Sequence, residues 1–125
     1  MQGLHLTADL HNCRCDARWL TDAAQLGEWC SLAVRSAGLE PVNQQFHAFA
    51  GLEGGPGGIT VTLLLAGSHV AVHAWSAPRA VTLDVYICDN VKAHGMKAKA
   101  LMQSLIDRFA PEWTEQRSLD RGDES

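Results

Sequence analysis

The chain has 125 residues, 46% of them hydrophobic, with 14 acidic against 10 basic side chains and a formal net charge of −4. That is enough apolar material for one core and one compact domain, and it lacks the basic excess that a phosphate-backbone binder needs, so nucleic acid is not an expected partner. No apolar run approaches the ~18 residues of a membrane-spanning helix and the first ten residues alternate polar with apolar, unlike a signal peptide, so a cytoplasmic protein with no membrane partner is expected.

Leu4, Leu6, Ala8 and Leu10 fall on one face of residues 4–10 and His5, Thr7 and Asp9 on the other, the period of a half-buried strand. Thr21 or Asp22 can cap a helix in which Leu26, Trp29, Cys30, Ala33, Val34 and Ala37 repeat at helical spacing, and Gly38 supplies its stop. Residues 40–49 read as a second strand. The segment 51–58, GLEGGPGG, is too rich in Gly and Pro to continue regular structure and is expected to form a mobile loop. Residues 59–66 are a nearly unbroken apolar run of strand length, Gly67-Ser68 forms a tight turn, and 69–75 returns as another strand. Val81, Leu83, Val85 and Ile87 alternate with Thr82, Asp84 and Tyr86, which predicts a strand ending at Cys88. Between 92 and 109, Ala98, Leu101, Met102, Leu105, Ile106 and Phe109 repeat at helical spacing, and Pro111 follows the end. Residues 113–118 read as a short strand and 119–125 as a frayed polar tail, whose Arg121-Gly122-Asp123 triplet is taken as chance.

Strand, helix, four strands, helix, strand: this order suits an α+β, two-layer sandwich, an antiparallel sheet with two long helices packed on one face. No repeat or linker divides it, so residues 1–118 are expected to form a single domain. Cys13, Cys15, Cys30 and Cys88 read as free thiols, because nothing marks the chain as secreted and its core needs no staples. Cys13-x-Cys15 lacks the two-residue ligand spacing of a zinc site and no Cys or His pair follows at finger-like distance, so no metal is expected.

One local feature stands apart: Ala66-Gly67-Ser68-His69, then His73, Asp84 and Cys88, all near expected strand ends around one expected turn. Taken singly, each has an ordinary reading. Ser after Gly is a turn residue, His69 and His73 lie four apart on one strand face, and Cys88 is a small buried apolar side chain. His5, His11, His47 and His94 keep such a reading, and Asp84 reads equally as a network carboxylate. A serine hydrolase built on Ser68, His73 and Asp84 is disfavoured because no Gly-x-Ser-x-Gly elbow is present.

Taken together, the spacing resembles the prokaryotic S-adenosylmethionine decarboxylase proenzyme family. That family carries Glu-Ser-His, three residues, His-Thr-Trp-Pro-Glu, and an Asp four positions before a Cys that lies twenty residues beyond the Ser. Ser68, His69, His73, Trp75, Asp84 and Cys88 occupy those positions. The likeness extends to Gly3-x-His5 with Asp9-Leu10, to Phe46-His47-x-Phe49 and to Arg121-Gly122, and so covers nearly the whole chain.

The resemblance implies an S-adenosylmethionine decarboxylase-like fold and a pyruvoyl-dependent carboxy-lyase that processes itself. Ser68 would attack the Gly67 carbonyl, the chain would part between Gly67 and Ser68, and Ser68 would become the pyruvoyl group that forms a Schiff base with the substrate. His73 takes the family's proton-acceptor position in processing, and Cys88 its proton-donor position in decarboxylation. Thr60 falls near a hydroxyl residue that assists processing; His69, Trp75 and Phe49 are candidates for substrate binding or processing support. Phe46, Phe49 and Trp75 are either core or a stacking wall for an adenine. The product would be decarboxylated S-adenosylmethionine for spermidine and other polyamine synthesis, and the assembly a homodimer of processed αβ units with the active site close to the subunit boundary.

Two departures stand out: Gly67 replaces the family's Glu before the serine, and Ser76-Ala77 replace its Pro-Glu. Gly67 suits self-cleavage, since the acyl shift uses a backbone carbonyl and Gly tolerates a strained turn. The lost carboxylates keep two alternatives open, a pyruvoyl-dependent decarboxylase of arginine or ornithine and an unprocessed, non-catalytic homologue.

Overall fold

The computed structural model describes residues 2–51, 56–88 and 93–122. In chain order they form β1 (Gly3–Cys13), α1 (Arg18–Thr21), α2 (Ala23–Ser36), β2 (Asn43–Ala50), β3 (Pro56–Leu65), β4 (Ser68–Trp75), β5 (Ala80–Cys88), α3 (Ala93–Phe109) and β6 (Pro111–Arg121). The strands make one sheet in the order β2-β3-β4-β5-β1-β6, and every neighbouring pair is antiparallel. This is the α+β two-layer architecture that the periodicities predict.

The core follows from those periods. Leu6, Ala8 and Leu10 of β1, Ile59, Val61 and Leu63 of β3, Val70, Val72 and Ala74 of β4, and Val81, Leu83 and Val85 of β5 are buried on one face. Against them lie Leu26, Cys30 and Val34 of α2 and Leu101, Leu105 and Phe109 of α3. Each such branched or aromatic side chain withdrawn from water stabilises the fold by ~1.5–3 kcal/mol, which makes this face the one the helices must cover.

Local signals place the helix ends. Asp22 caps α2 by accepting the Gln25 N–H at 3.0 Å. At the other end Gly38 takes φ +87°, the Gly38 N–H reaches Arg35 O at 2.9 Å and the Leu39 N–H reaches Val34 O at 3.1 Å, the paired bonds of a Schellman stop.

Several expectations change. Ser68 is not inside the turn; Ala66 and Gly67 make the turn and Ser68 opens β4, opposite Leu65. Gly57 and Gly58 belong to β3 rather than to a loop, because β2 and β3 approach so closely at a register shift that a Cβ on Gly57 would lie 2.3 Å from the Phe49 carbonyl oxygen. Residues 52–55 of that expected loop lie outside the described residues. The tail is shorter than its polarity suggests: Leu119, Asp120 and Arg121 pair with His5, Leu4 and Gly3, so β6 continues to Arg121, and Ser125 and its two predecessors lie outside the described residues. The charged side chains of this edge strand suit a ladder that is paired on one side and open to water on the other. A short helix, α1, precedes α2 and buries Trp19 and Leu20. Among the described residues no helix is long and apolar enough to cross a membrane.

Candidate active site

Alternation sends the other half of each strand to the uncovered face. His5, Thr7 and Asp9 of β1, Thr60 and Thr62 of β3, His69 and His73 of β4, and Thr82, Asp84 and Tyr86 of β5 share it. On this face and at its rim the residues singled out from sequence fall into two groups.

The first group holds Ser68 and Cys88. The strand order puts the β3–β4 turn beside the end of β5, and the Cys88 backbone N–H donates to Ser68 Oγ at 2.8 Å. Gly67 takes φ +66°, a left-handed conformation that Gly adopts without strain. A Cβ there would sit 3.6 Å from Cys88 Cβ, an ordinary contact, so it is the backbone angle and not lack of space that calls for glycine. Ser68 and Cys88 line a cavity of about 190 Å³ together with Leu65, Ile87, Glu40 and His94. Glu40 and His94 have no sequence signal of their own; both reach the cavity because α2 ends, and α3 begins, over this corner of the sheet.

The second group holds Thr60 and His73, which face each other across β3 and β4 with Thr60 Oγ1 2.9 Å from His73 Nδ1. Trp75 stacks near His73, ring centroids 6.2 Å apart. Beside Thr60 lies a hollow of about 470 Å³ lined by Thr62, Gln45, His47, Phe46 and Phe49, with Phe49 packed edge-on to His47 at 4.5 Å. Phe46 is oriented toward α2: its ring would meet a Cβ on Gly27 at 2.6 Å, so it packs on the helix layer. Phe49 and Trp75 are 54% and 41% exposed, free surfaces rather than core, and on this count the core reading fails for both.

The two groups do not meet within one chain. Ser68 and His73 are five residues apart on the same strand, about 17 Å along it, and alternate to opposite faces. Between them lies a third cluster: Asp84 Oδ1 accepts from His5 Nε2 at 2.8 Å and from His69 Nε2 at 3.3 Å. Asp84 is therefore a network carboxylate held by histidines, not the third member of a hydrolase triad with Ser68 and His73.

All four cysteines are free thiols. Burial pushes the Cys30 thiol up to about 12, and burial, with Cys15 nearby, pushes Cys13 up to about 11, so these two remain protonated packing residues. Among the described residues no group of three His, Cys, Asp or Glu side chains is arranged to hold a metal ion.

Residues 4–122 match the sequence profile described as S-adenosylmethionine decarboxylase. The chain is 30% identical over 120 residues to the S-adenosylmethionine decarboxylase proenzyme of Aquifex aeolicus, covering 96% of this chain and 81% of that protein. It is 29% identical over 121 residues to the proenzyme of the same name from a Hydrogenobaculum species, again covering 96% of this chain and 81% of that protein. The crystal structure of the adenosylmethionine decarboxylase from Aquifex aeolicus superposes with a TM-score of 0.78 at 27% identity, covering 98% of this chain and 92% of that one.

Proposed function

The chain belongs to the S-adenosylmethionine decarboxylase family, and on that premise we propose that it is a self-cleaving proenzyme whose mature form decarboxylates S-adenosylmethionine to supply an aminopropyl donor for polyamine synthesis. The observation that carries this reading is the corner where Ser68 opens β4 behind a left-handed Gly67, with its hydroxyl held by the Cys88 N–H.

That corner suits processing. The Ser68 hydroxyl adds to the Gly67 carbonyl and the peptide bond becomes an ester as the Ser68 nitrogen takes the proton. Loss of the Ser68 α-proton then expels the Gly67 carboxylate, carrying the former Oγ with it. Water hydrolyses the resulting dehydroalanine, releasing ammonia and leaving a pyruvoyl group at the new amino terminus. Glycine at 67 adds no side chain to shield the carbonyl, and the Cys88 N–H keeps the hydroxyl at the turn.

A pyruvoyl group formed there supplies the electron sink for loss of carbon dioxide from a bound amino acid. The chain's own residues do the rest. Cys88, opposite Gly67 at the end of β5, stands where it can return a proton to carbon. The small cavity with Glu40 and His94 borders the reacting corner. The hollow at Thr60, with Phe49 exposed on its wall, offers an aromatic surface on which a flat group can stack.

His73, five residues along β4, and its β3 partner Thr60 lie too far from Ser68 to move a proton there within their own chain. A second copy packed on the uncovered face, so that its His73 and Thr60 reach the rim where Ser68 opens β4, supplies them, in a homodimer with two shared sites. That packing also covers Leu64, Trp75, Trp113 and Leu119, which are exposed on this face by 46, 41, 53 and 58%.

The β4–β5 turn carries Ser76 and Ala77, with no carboxylate, and this favours keeping arginine and ornithine as second substrates in the test. Intact mass spectrometry of the purified protein, followed by release of labelled carbon dioxide from S-adenosylmethionine, arginine and ornithine, decides. Two fragments parting at Gly67–Ser68 and carbon dioxide from S-adenosylmethionine are expected. A single uncleaved chain after long incubation would remove the reading.

A further inference from the structure

We propose that the bridge from His69 through Asp84 to His5 is a positioning device that holds the new amino terminus of β4 after the chain has cut itself. This rests on the self-cleavage reading above.

Asp84 Oδ1 lies 2.8 Å from His5 Nε2 and 3.3 Å from His69 Nε2. A carboxylate only accepts, so both imidazoles present an N–H at Nε2, and His5 Nδ1 is then left as acceptor for Arg121 Nη1 at 3.4 Å. His69, Tyr86, His5 and Leu119 are register partners in one row across β4, β5, β1 and β6. Within that row the Tyr86 ring sits 5.8 Å from His69 and 6.0 Å from His5, and Arg121 lies over it at 5.7 Å. One set of side-chain contacts thus ties four strands together at the residue that follows Ser68.

Cleavage changes what holds that residue. The intact hairpin joins Leu65 to Ser68 through Ala66 and Gly67. Afterwards β4 begins at 68, and a strand terminus frays unless it is tied down. The chemistry also removes the bond from the Cys88 N–H to the Ser68 side chain, because Oγ leaves on the Gly67 carboxylate. Among the described residues the His69–Asp84 bond is then the side-chain hydrogen bond nearest the reactive end. It uses neither the hairpin nor Oγ, so it survives the cut. His5 and Arg121 keep Asp84 from following His69 if the strand end moves.

The test is hydrogen exchange across 69–75, read by peptide mass spectrometry, for His69→Ala, His69→Gln and Asp84→Asn in two backgrounds, the processed protein and the uncleaved Ser68→Ala chain. Ser68→Ala lacks Oγ but keeps the hairpin, which isolates the effect of the cut. In processed protein His69→Ala is expected to speed exchange at the start of β4 ~tenfold and to lower kcat/KM, with His69→Gln, which retains an N–H donor, recovering much of both. In the Ser68→Ala background the same substitution is expected to change exchange less than twofold, by the same local-opening logic. Equal acceleration in both backgrounds would mean an ordinary fold contact, and no acceleration in processed protein would mean no anchoring; either overturns the proposal. If none of the three variants cleaves while their Ser68→Ala forms melt like the parent, the network acts before the cut, and the proposal fails. A parent protein that never cleaves sinks the self-cleavage reading first, and is recognised before any variant is compared.

Discussion

The Cys88 backbone N–H donates to Ser68 Oγ at 2.8 Å, joining two residues twenty apart in sequence at the end of two neighbouring strands. The bond holds the hydroxyl beside the end of β5, and a Cβ on Gly67 would lie 3.6 Å from Cys88 Cβ, so the residue proposed to be consumed and the residue proposed to donate a proton share one corner.

Ser68→Ala is expected to abolish both the split and all carbon dioxide release, because in the proposed mechanism the hydroxyl is the nucleophile and the source of the cofactor. Intact mass and a labelled-substrate assay check it. A Ser68→Ala protein that still parts at this bond would end the mechanism.

Cys88→Ala is expected to leave the backbone N–H, and therefore cleavage, largely intact while turnover falls ~10²- to 10⁴-fold, the range for losing a placed proton donor. Comparing the processed fraction with kcat in one preparation separates the two effects. Turnover equal to that of the parent would free Cys88 of the donor role.

Ser68→Ala and His73→Ala chains, each unprocessed alone, are expected to complement when co-expressed, with the His73→Ala chain cleaved by His73 of the Ser68→Ala chain. Two tags and mass spectrometry of each chain identify which is cut. If the mixed dimer stays uncut while parent dimers process, Thr60 and His73 do not act across a subunit boundary.

Gly67→Ala in the uncleaved Ser68→Ala background is expected to lower stability by ~1 kcal/mol, the cost of a Cβ in the left-handed region. The φ of +66° requires it and the 3.6 Å clearance from Cys88 excludes a steric origin. Urea denaturation measures it; unchanged stability would show that the turn relaxes to a negative φ.

Stability is expected to fall as pH rises above 9. Cys30 is raised from 9.0 to about 12 in the folded chain, so between these values the unfolded thiol has lost its proton and the folded one keeps it. Protons are then bound by the folded state only, and raising pH favours unfolding, with the contribution fully present below 9 and lost through about 12. Cys30→Ala is expected to flatten this limb in urea titrations at successive pH values. A slope identical to that of the parent would assign the alkaline loss to other groups.

Much of the fold was legible in the chain because its strands alternate cleanly and its helices carry one apolar stripe. Leu4 to Leu10 and Val81 to Ile87 each declare a buried face, and Asp22 and Gly38 mark the ends of a helix. The misread segments are those where a local rule competes with pairing. Gly57 serves a close backbone approach, not a loop, and Leu119, Asp120 and Arg121 stay in place because β1 pairs with them. Period alone sent His5 and Asp84 to an uncovered face, yet no spacing says that they touch, since seventy-nine residues separate them and only the order β4-β5-β1 makes them neighbours.

The sequence by itself determined which residues are candidates for the chemistry: Ser68 behind a glycine, a histidine five residues on, and Cys88 at a strand end. Tertiary structure alone decided how they are distributed, placing Cys88 against Ser68, setting His73 with Thr60 some five residues away along β4, and filling the space between with the Asp84 bridge. The physical reason is that alternation and spacing are properties of one strand. Proximity across a sheet depends on strand order and register, which are set by the packing of α2 and α3 against the whole buried face.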